Sequence, residues 1–281
     1  MGWNDRTEVL KHHFPELSQS PFPSLTPGFS PGTKTKTMKQ IMNLLALALA
    51  AALLFSCGQP AQQKQKATTK KMEEVKPNTL TQAEIDDGWV LLFDGKSTDQ
   101  WRGYGKETFP EQGWTVEDGT LKVQGSGKGE AGGGGDIITK NKYRNFEFSV
   151  EWKVSEGGNS GIFYLAQEKP GQPIWKSAPE MQILDKHPDA RMGKDGNRQA
   201  GALYDLIPGN PEVVKPAGNW NKVKVLVYKG TVVHYVNGEQ VLEYHLWTDD
   251  WNNMVLNSKF KDYEDFLHTA EEGYIGLQDH G

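Results

Sequence analysis

Two short segments, far apart in the chain, carry side chains that could transfer protons and bind hydroxyl groups. The segment "PEMQILD" contains Glu180 and Gln182, and the segment "GYIGLQDHG" contains Gln278 and His280. One residue separates the two polar residues of each pair, so in a β-strand both would lie on the same face. A carboxylate and an imidazole are common general acids and bases, and amides bind hydroxyl groups. This combination is typical of a carbohydrate cleft.

The apolar residues between these polar ones indicate which face of each strand is buried. Met181, Ile183, Ile275 and Leu277 alternate with the polar residues, and we expect them to face a core between two sheets. The polar face would then point outward, and the two segments would meet if they belong to one curved sheet. An outward polar face of an antiparallel sheet can also be simply solvated, and alternation alone leaves both interpretations open.

Many short alternating segments predict that the chain is an all-β protein. The segment "YRNFEFSVEWKVSE" alternates between apolar and polar residues. The segment "WNKVKVLVYKGTVVHYVNGEQVLEYHL" predicts a meander with turns at Lys229-Gly230 and Asn237-Gly238. A short helix is predicted after Thr81, with Glu84 completing a capping box. We therefore predict a jelly-roll β-sandwich of two curved antiparallel sheets.

The composition limits the kinds of partner that the protein could bind. The chain has 281 residues, with 31 Lys and Arg against 36 Asp and Glu, and a formal net charge of -5. Because phosphate backbones are bound by clustered Lys and Arg, this mild acidity argues against a nucleic-acid partner. Cys57 is the single cysteine of the sequence, which excludes a disulfide bond within the chain.

The position of Cys57 indicates a lipid anchor. It ends the segment "MKQIMNLLALALAAALLFSC", in which a basic start precedes an apolar stretch of a length typical of a secretory signal. The end of this segment resembles a bacterial lipobox, so we predict lipidation of Cys57 and attachment to the membrane of the bacterial cell envelope. Gly58 after the cysteine favours the outer membrane, with the protein facing the periplasm. A plain secretory signal or a membrane anchor is the alternative interpretation.

These features divide the chain into four predicted parts. Residues 1–37 precede the signal segment and are interpreted as a spurious N-terminal extension before a true start at Met38. Residues 38–57 are the predicted lipoprotein signal peptide, and residues 58–79, rich in Gln, Lys and Thr, are a predicted disordered linker. Residues 80–281 are the predicted β-sandwich domain.

The folded part resembles a known family. The segments "LLFDGKSTDQWRG", "NSGIFYL", "PEMQILD", "GALYDL", "SKFKDY" and "GYIGLQDHG" occur in this order. Together they are similar to the 3-keto-disaccharide hydrolases, formerly a domain of unknown function. The resemblance implies a concanavalin A-like jelly roll and a secreted or lipid-anchored enzyme that cleaves glycosides whose glucose C3 is a ketone. Members of that family continue after "LQDHG" with one more strand, so we expect the sandwich to lack its final C-terminal strand.

The resemblance also implies the chemistry that the site residues would perform. A ketone at C3 acidifies the C2 proton, a base removes it, the group on C1 leaves by β-elimination, and water then adds to the enone. We expect Glu180 or His280 to be the base, and the other to be an acid or a metal ligand. The expected substrate-binding residues are Asn159, Gln182, Asp185, Tyr204, Gln278 and Trp175, the last by stacking on a sugar ring.

A divalent cation of the Ca, Mn or Zn type is an option that the sequence leaves open. Glu180, Asp185 and His280 carry the oxygen and nitrogen ligands that suit such an ion. They are not accompanied by a closely spaced ligand motif such as HxH or HExxH. A cation is therefore a candidate cofactor rather than a firm expectation.

Two other functions compete with the cleavage of 3-keto sugars. A non-catalytic, lectin-like surface lipoprotein would use the same architecture, because a fold does not determine function. A retaining glycosidase of the laminarinase type would resemble ExDxxE along one strand. Residues 180–185 have Gln at the middle position of that pattern, which argues against the laminarinase class.

Overall fold

The computed structural model describes residues 2–11, 76–186 and 194–281, all of which belong to one compact unit. The predicted signal peptide with Cys57 and nearly all of the predicted linker lie outside the described residues. Within the described ranges, no helix is long and apolar enough to cross a membrane.

Short strands dominate the described residues, as the alternating sequence pattern predicts. Numbered along the chain, the strands are β1 (Gly2–Lys11), β2 (Trp89–Leu91), β3 (Trp101–Gly103), β4 (Trp114–Glu117), β5 (Thr120–Val123), β6 (Ile137–Thr139), β7 (Phe146–Lys153), β8 (Asn159–Ala166), β9 (Glu180–Leu184), β10 (Asn221–Tyr228), β11 (Thr231–Val236), β12 (Glu239–His245) and β13 (Tyr274–Leu277). The helices are α1 (Gln82–Asp86), α2 (Asp249–Leu256) and α3 (Glu264–Leu267), and the 3-10 helices are Ile174–Lys176, Lys194–Gly196 and Pro211–Val213. The helix predicted after Thr81 is confirmed as α1, with both hydrogen bonds of the capping box present.

The strands form two antiparallel sheets, which confirms the predicted all-β sandwich. The larger sheet runs in the order β12-β11-β10-β7-β1-β5-β4, and β2 pairs with β1 beside this path. The smaller sheet runs in the order β3-β6-β13-β8-β9. The two segments that carry the predicted site, β9 and β13, are therefore in the same sheet and are both neighbours of β8. This topology, rather than proximity in sequence, brings Glu180 and His280 to one side of the protein.

Strand β1 lies in the middle of the larger sheet. It pairs with β7 on one side and with β5 and β2 on the other. Residues Asn4 and Glu8 flank a shift in its register with β7. The strand falls within residues 1–37, whose interpretation as an extension before the true start stays a prediction.

The core between the sheets is built from the apolar residues that alternation assigns to it. Met181, Ile183, Ile275 and Leu277 of the smaller sheet are all buried in one cluster, so the predicted inward face of β9 and β13 is confirmed. The larger sheet supplies the inward residues of the "FEFSVEW" and "VKVLV" segments, which are Phe146, Phe148, Val150, Trp152, Val223, Val225 and Val227. Removal of these side chains from water supplies the main driving force for the sandwich.

A buried polar network links the core to the loop beside β9. The His234 ring on β11 donates from Nδ1 to the Gly201 carbonyl (3.0 Å) and accepts at Nε2 from the Tyr164 hydroxyl (2.9 Å). Tyr164 in turn accepts from the Tyr244 hydroxyl at 2.7 Å. Burial lowers the pKa of His234 to about 4, so the ring is neutral at pH 7 and its two nitrogens fit these opposite roles.

Candidate active site

A cavity of about 200 Å³ opens on the face of the smaller sheet that is turned away from the core. Four elements beyond the sheet complete its walls: the glycine-rich loop before β6, the 3-10 helix before β9, the loop after β9 and the turn before α3. The lining residues are Glu130, Asn159, Trp175, Glu180, Gln182, Tyr204, Lys259, Phe260, Tyr263, Gln278 and His280.

Seven of the eight residues that the sequence singles out for catalysis or substrate binding border this cavity. They are Glu180, His280, Asn159, Gln182, Tyr204, Gln278 and Trp175. The eighth, Asp185, is outside the lining. Its carboxylate accepts hydrogen bonds from the backbone of Gly157 (2.9 Å) and of Ala217 (3.1 Å), and so connects two loops at the end of β9.

Glu180 forms the buried acidic centre of the site. The residue is 6% exposed, and none of the described residues donates a hydrogen bond to its carboxylate. Gly161 on β8 leaves the space that the carboxylate occupies, since a Cβ atom there would overlap it. Burial raises the pKa of Glu180 well above its usual range, and the negative charges of Asp136 and Glu130 add to this effect, while Lys259 opposes it.

The amide side chains beside Glu180 are held differently. The Gln182 amide nitrogen donates to the Asn159 side-chain oxygen (2.7 Å) and to the backbone carbonyls of Ser160 (3.2 Å) and Ile183 (3.0 Å). Gln182 is therefore fixed in place and orients Asn159 at the cavity wall. Gln278 is anchored through its backbone, whose N–H donates to the Gly161 carbonyl (3.0 Å), and its side chain borders the cavity. Both amides retain polar atoms that could meet sugar hydroxyl groups.

Tyr204 reaches the cavity because the loop after β9 runs back along that strand. The Tyr204 N–H donates to the Glu180 carbonyl (2.9 Å), and the Gly201 N–H donates to the Gln182 carbonyl (2.8 Å). Gly201 has a φ of +84°, which favours glycine. The same glycine accepts the hydrogen bond from His234, so the buried network positions this wall of the site.

Four further residues of the cavity lining were missed by sequence reasoning. Lys259, Phe260 and Tyr263 come from the "SKFKDY" segment, and Glu130 comes from the glycine-rich loop. The Lys259 ammonium lies 4.1 Å from the centre of the Tyr204 ring. The segment "SKFKDY" is one of those that carry the family resemblance, and this resemblance was the one indication in the sequence that the segment belongs to the site. Its spacing alone does not place it beside β9.

Aromatic side chains enclose the remaining side of the cavity. Trp175 and Tyr263 meet edge to face, with ring centres 5.4 Å apart. Ile174, next to Trp175, packs over Gly276 of β13, where a Cβ atom would come within 2.7 Å of its Cδ1. Because the glycine admits this close approach, the 3-10 helix that carries Trp175 can lie against the sheet.

Asp279 organises the glycine-rich loop beside the site. Its Oδ2 accepts hydrogen bonds from the N–H groups of Gly133 (3.0 Å), Gly134 (2.7 Å) and Gly135 (3.0 Å). The Asp279 N–H donates to Oδ1 of Asp136 at 2.9 Å. The buried carboxylate therefore holds the glycine-rich loop next to His280.

The three candidate metal ligands do not meet at one point, because Glu180 and His280 border the cavity while Asp185 lies outside its lining. Within the described ranges, no group of three or more His, Cys, Asp or Glu side chains is arranged to hold a metal ion. Asp185 is occupied by two backbone N–H groups, as described above. Among the described residues, the donor set Glu180, Asp185 and His280 is therefore not assembled as a three-ligand site.

The fold and the site together define a class of protein. It is an antiparallel β-sandwich with a polar, aromatic-edged cavity on the outer face of one sheet and a buried carboxylic acid at its centre. A family profile described as the 3-keto-alpha-glucoside-1,2-lyase-like domain matches residues 88–281, and the chain belongs to this family.

Two similar proteins support this family membership. A 3-keto-disaccharide hydrolase from Bacteroides thetaiotaomicron is 49% identical over 279 residues, which cover 87% of this chain and 95% of the relative. The crystal structure of a proposed glycosyl hydrolase from Parabacteroides distasonis is 30% identical, with a TM-score of 0.64 over 73% of this chain and 93% of that one. The likeness therefore extends over most of this chain and over nearly the full length of each of these two proteins.

Proposed function

We propose that this protein cleaves 3-keto-glycosides, including 3-keto-disaccharides, by removing the C2 proton and eliminating the group on C1. The proposal is supported by membership of the lyase-like family and by the 49% identical relative named as a 3-keto-disaccharide hydrolase. The single observation that carries the mechanism is the cavity in which a buried carboxylic acid, an imidazole and three side-chain amides lie together. This arrangement offers one group to remove the C2 proton and a second group to protonate the oxygen that leaves C1.

The chemistry of a 3-keto sugar explains why such a site is sufficient. Removal of the C2 proton leaves an electron pair that forms the C2–C3 double bond while the C3 oxygen becomes an enolate. The enolate then re-forms the ketone, the C1–C2 double bond is made, and the C1–O bond breaks with protonation of the leaving oxygen. Addition of water to the resulting enone places a hydroxyl on C1 and a proton on C2, so the net reaction is hydrolysis.

Glu180 is assigned as the base in this scheme. Its pKa is raised by burial, which makes the carboxylate a stronger base for removing a proton from carbon. Gly161 leaves the space in which this carboxylate lies. His280 lies half-buried at the cavity edge and is assigned as the acid that protonates the leaving oxygen.

The remaining cavity residues are assigned to substrate binding. Asn159, Gln182 and Gln278 would bind hydroxyl groups, with Tyr204 as a further hydrogen-bonding group. Trp175 is half-buried beside Tyr263, and its ring is available to pack against the apolar face of a sugar. Binding at these positions would orient C2 towards Glu180, and correct orientation is a large part of the rate enhancement of enzymes.

We further propose that the enzyme acts in the bacterial cell envelope, held to the outer membrane by lipid on Cys57. The lipobox-like segment supports this location, and the 3-keto-glycoside would then be met in the periplasm. Palmitate labelling of the full chain in bacterial cells, compared with Cys57→Ser, tests the anchor. Labelling that is equal in both proteins would contradict it.

The activity is tested by incubating the purified protein with 3-keto-trehalose and 3-keto-lactose and measuring release of 3-keto-glucose. We expect turnover by the wild type, a loss of at least about 10³-fold in Glu180→Gln, and a loss of roughly 10²- to 10⁴-fold in His280→Ala. Full activity in Glu180→Gln would refute its assignment. Sugar binding without turnover in the wild type would identify a lectin-like protein, and loss of turnover with a chelator would add a metal to the mechanism.

A further inference from the structure

We infer that Lys259 is a catalytic residue that donates a hydrogen bond to the C3 ketone oxygen of the substrate and stabilises the enolate formed when Glu180 removes the C2 proton. This inference rests on the proposed function and identifies the group that receives the developing negative charge. The sequence motifs assigned this task to no particular residue.

The first observation is that the N–H groups of the Lys259 ammonium have no hydrogen-bond acceptor among the described residues. Its ion pair with Asp205 Oδ2 is long, at 3.9 Å, and the other oxygen of that carboxylate already accepts from Arg198 Nε at 2.6 Å. Among the described residues, no acceptor lies within hydrogen-bonding distance of Lys259 Nζ. A cation that borders the cavity with unused N–H groups is suited to bind an oxygen of the ligand.

The second observation is that aromatic rings contact this ammonium at the cavity that Glu180 also borders. Lys259 Nζ is 4.1 Å from the centre of the Tyr204 ring and 5.0 Å from that of Phe260. Its side chain remains 41% exposed, so a substrate that covers the cavity would remove competing water. Tyr204 is itself fixed through its N–H to the carbonyl of Glu180. The cation and the carboxylate therefore belong to one connected arrangement.

The third observation is that the turn carrying Lys259 is anchored in the core. Phe260 stacks on Phe266 with ring centres 4.1 Å apart, and Phe266 stacks on Trp251 at 5.7 Å. Trp251 continues the column to Tyr244 of β12 at 5.5 Å. A lysine on a turn packed in this way can act as a preorganised group, because little of the turn has to move when the charge develops.

The positive charge of Lys259 can stabilise both Glu180 before the proton transfer and the enolate after it. Lys259 lowers the pKa of Glu180, which burial raises, so the cation favours the ionised base before proton transfer. After transfer, the negative charge has moved from the carboxylate to the C3 oxygen, and the same cation would stabilise it there. The ketone is neutral in the ground state, so this interaction strengthens in the transition state and should affect kcat more than KM.

The test separates enolate formation from bond cleavage. The probe is 1,5-anhydro-3-keto-glucitol, which has the acidic C2 proton but no leaving group on C1. Exchange of that proton is followed in D2O by NMR, and the carbonyl carbon is labelled with ¹³C to report hydrogen bonding at the ketone. Lys259→Met retains the aliphatic stem, Lys259→Arg retains a cationic donor that cannot serve as a base, and the exposed Lys261→Met is the matched control.

We expect Lys259→Met to lower both C2 exchange and 3-keto-trehalose turnover by roughly 10²- to 10³-fold, with a smaller change in KM. Lys259→Arg should retain more activity than Lys259→Met, and the ¹³C resonance of the bound ketone should move upfield in Lys259→Met alone. Exchange at the wild-type rate in Lys259→Met, or an unchanged carbonyl resonance, would overturn the inference. Absence of both exchange and turnover in the wild type would instead refute the proposed function.

Discussion

The carboxylate of Glu180 on β9 occupies the space above Gly161 on the neighbouring strand β8. A Cβ atom at Gly161 would overlap the Glu180 side chain at Cγ, Cδ and Oε1. Gly161 pairs directly with Gln182 in the strand register, so the Glu180 side chain leans diagonally across the sheet to reach this position. The absence of a side chain at one residue thus determines where the candidate base is held.

Gly161→Ala is therefore expected to displace the carboxylate and lower the rate of 3-keto-trehalose cleavage by roughly 10²-fold, because small displacements of catalytic groups have effects of this size. The φ angle of Gly161 is not in the left-handed region, so alanine fits the backbone, and we expect only a small change in melting temperature. Gly125→Ala is the control, since its new Cβ would meet nothing closer than 3.9 Å. Equal kcat values in both variants would contradict this account of Gly161.

The carboxylate of Asp279 is expected to be important for stability. Its Oδ2 accepts three backbone N–H groups, and the residue is fully buried. Asp279→Ala would leave these donors without an acceptor, and we expect a loss of at least about 3 kcal/mol in the free energy of unfolding. Asp279→Asn, which retains an oxygen acceptor, should lose less. Chemical denaturation of the three proteins measures this order, and an alanine variant as stable as the wild type would contradict it.

The raised pKa of buried Asp136 predicts how the stability of the protein depends on pH. Burial raises its pKa from 3.8 to about 7 in the folded protein. Between these two values the unfolded state releases a proton that the folded state retains, so rising pH lowers the stability of the wild type through this group. Asn has no such proton, and its side-chain oxygen can still accept the Asp279 N–H.

The free energy of unfolding of Asp136→Asn, relative to that of the wild type, should therefore increase from about pH 4 to about pH 7. Urea denaturation at several pH values measures this difference. Buried His234, with its pKa lowered from 6.5 to about 4, contributes an opposite trend over nearly the same range, but equally in both proteins. A difference that does not change with pH would show that Asp136 is not buried as an acid.

The pH dependence of activity should report Glu180. Because burial raises its pKa well above 4.5, the acidic limb of kcat/KM is expected at a higher pH than for an ordinary carboxylate. Asp136 raises the same pKa through its negative charge, so Asp136→Asn should move this limb to lower pH. A limb near pH 4.5 in the wild type would argue against Glu180 as the base.

The alternation of side chains predicted the central part of the site. Met181 and Leu277 are in the core, while Glu180 and Gln278 border the cavity, because a two-residue period leaves a strand only two faces. The pattern could not predict Lys259, since its position depends on a turn that aromatic packing holds far along the chain from β9. Asp185 was also expected to bind substrate, although alternation did not suggest it, and two loops use its carboxylate for their own hydrogen bonds.

The contacts of Asp279 in the C-terminal segment also could not be predicted from the sequence pattern. Asp279 shares the inward parity of Leu277, which predicts burial but not its three glycine partners. Those partners are more than 140 residues away in the chain, and a run of glycines has no periodicity from which a contact could be inferred. The local sequence pattern therefore predicted which face of each strand is buried. The positions of the loops that border the site could be seen only in the folded structure.

The fate of the C2 hydrogen tests the proposed mechanism most directly. The protein would cleave 3-keto-trehalose in D2O, and mass spectrometry would measure deuterium at C2 of the 3-keto-glucose released at early times, corrected for exchange without enzyme. Elimination followed by hydration predicts one deuterium at C2 for each bond cleaved, and no such product from Glu180→Gln. Release of 3-keto-glucose that retains its original hydrogen at C2 would contradict the account.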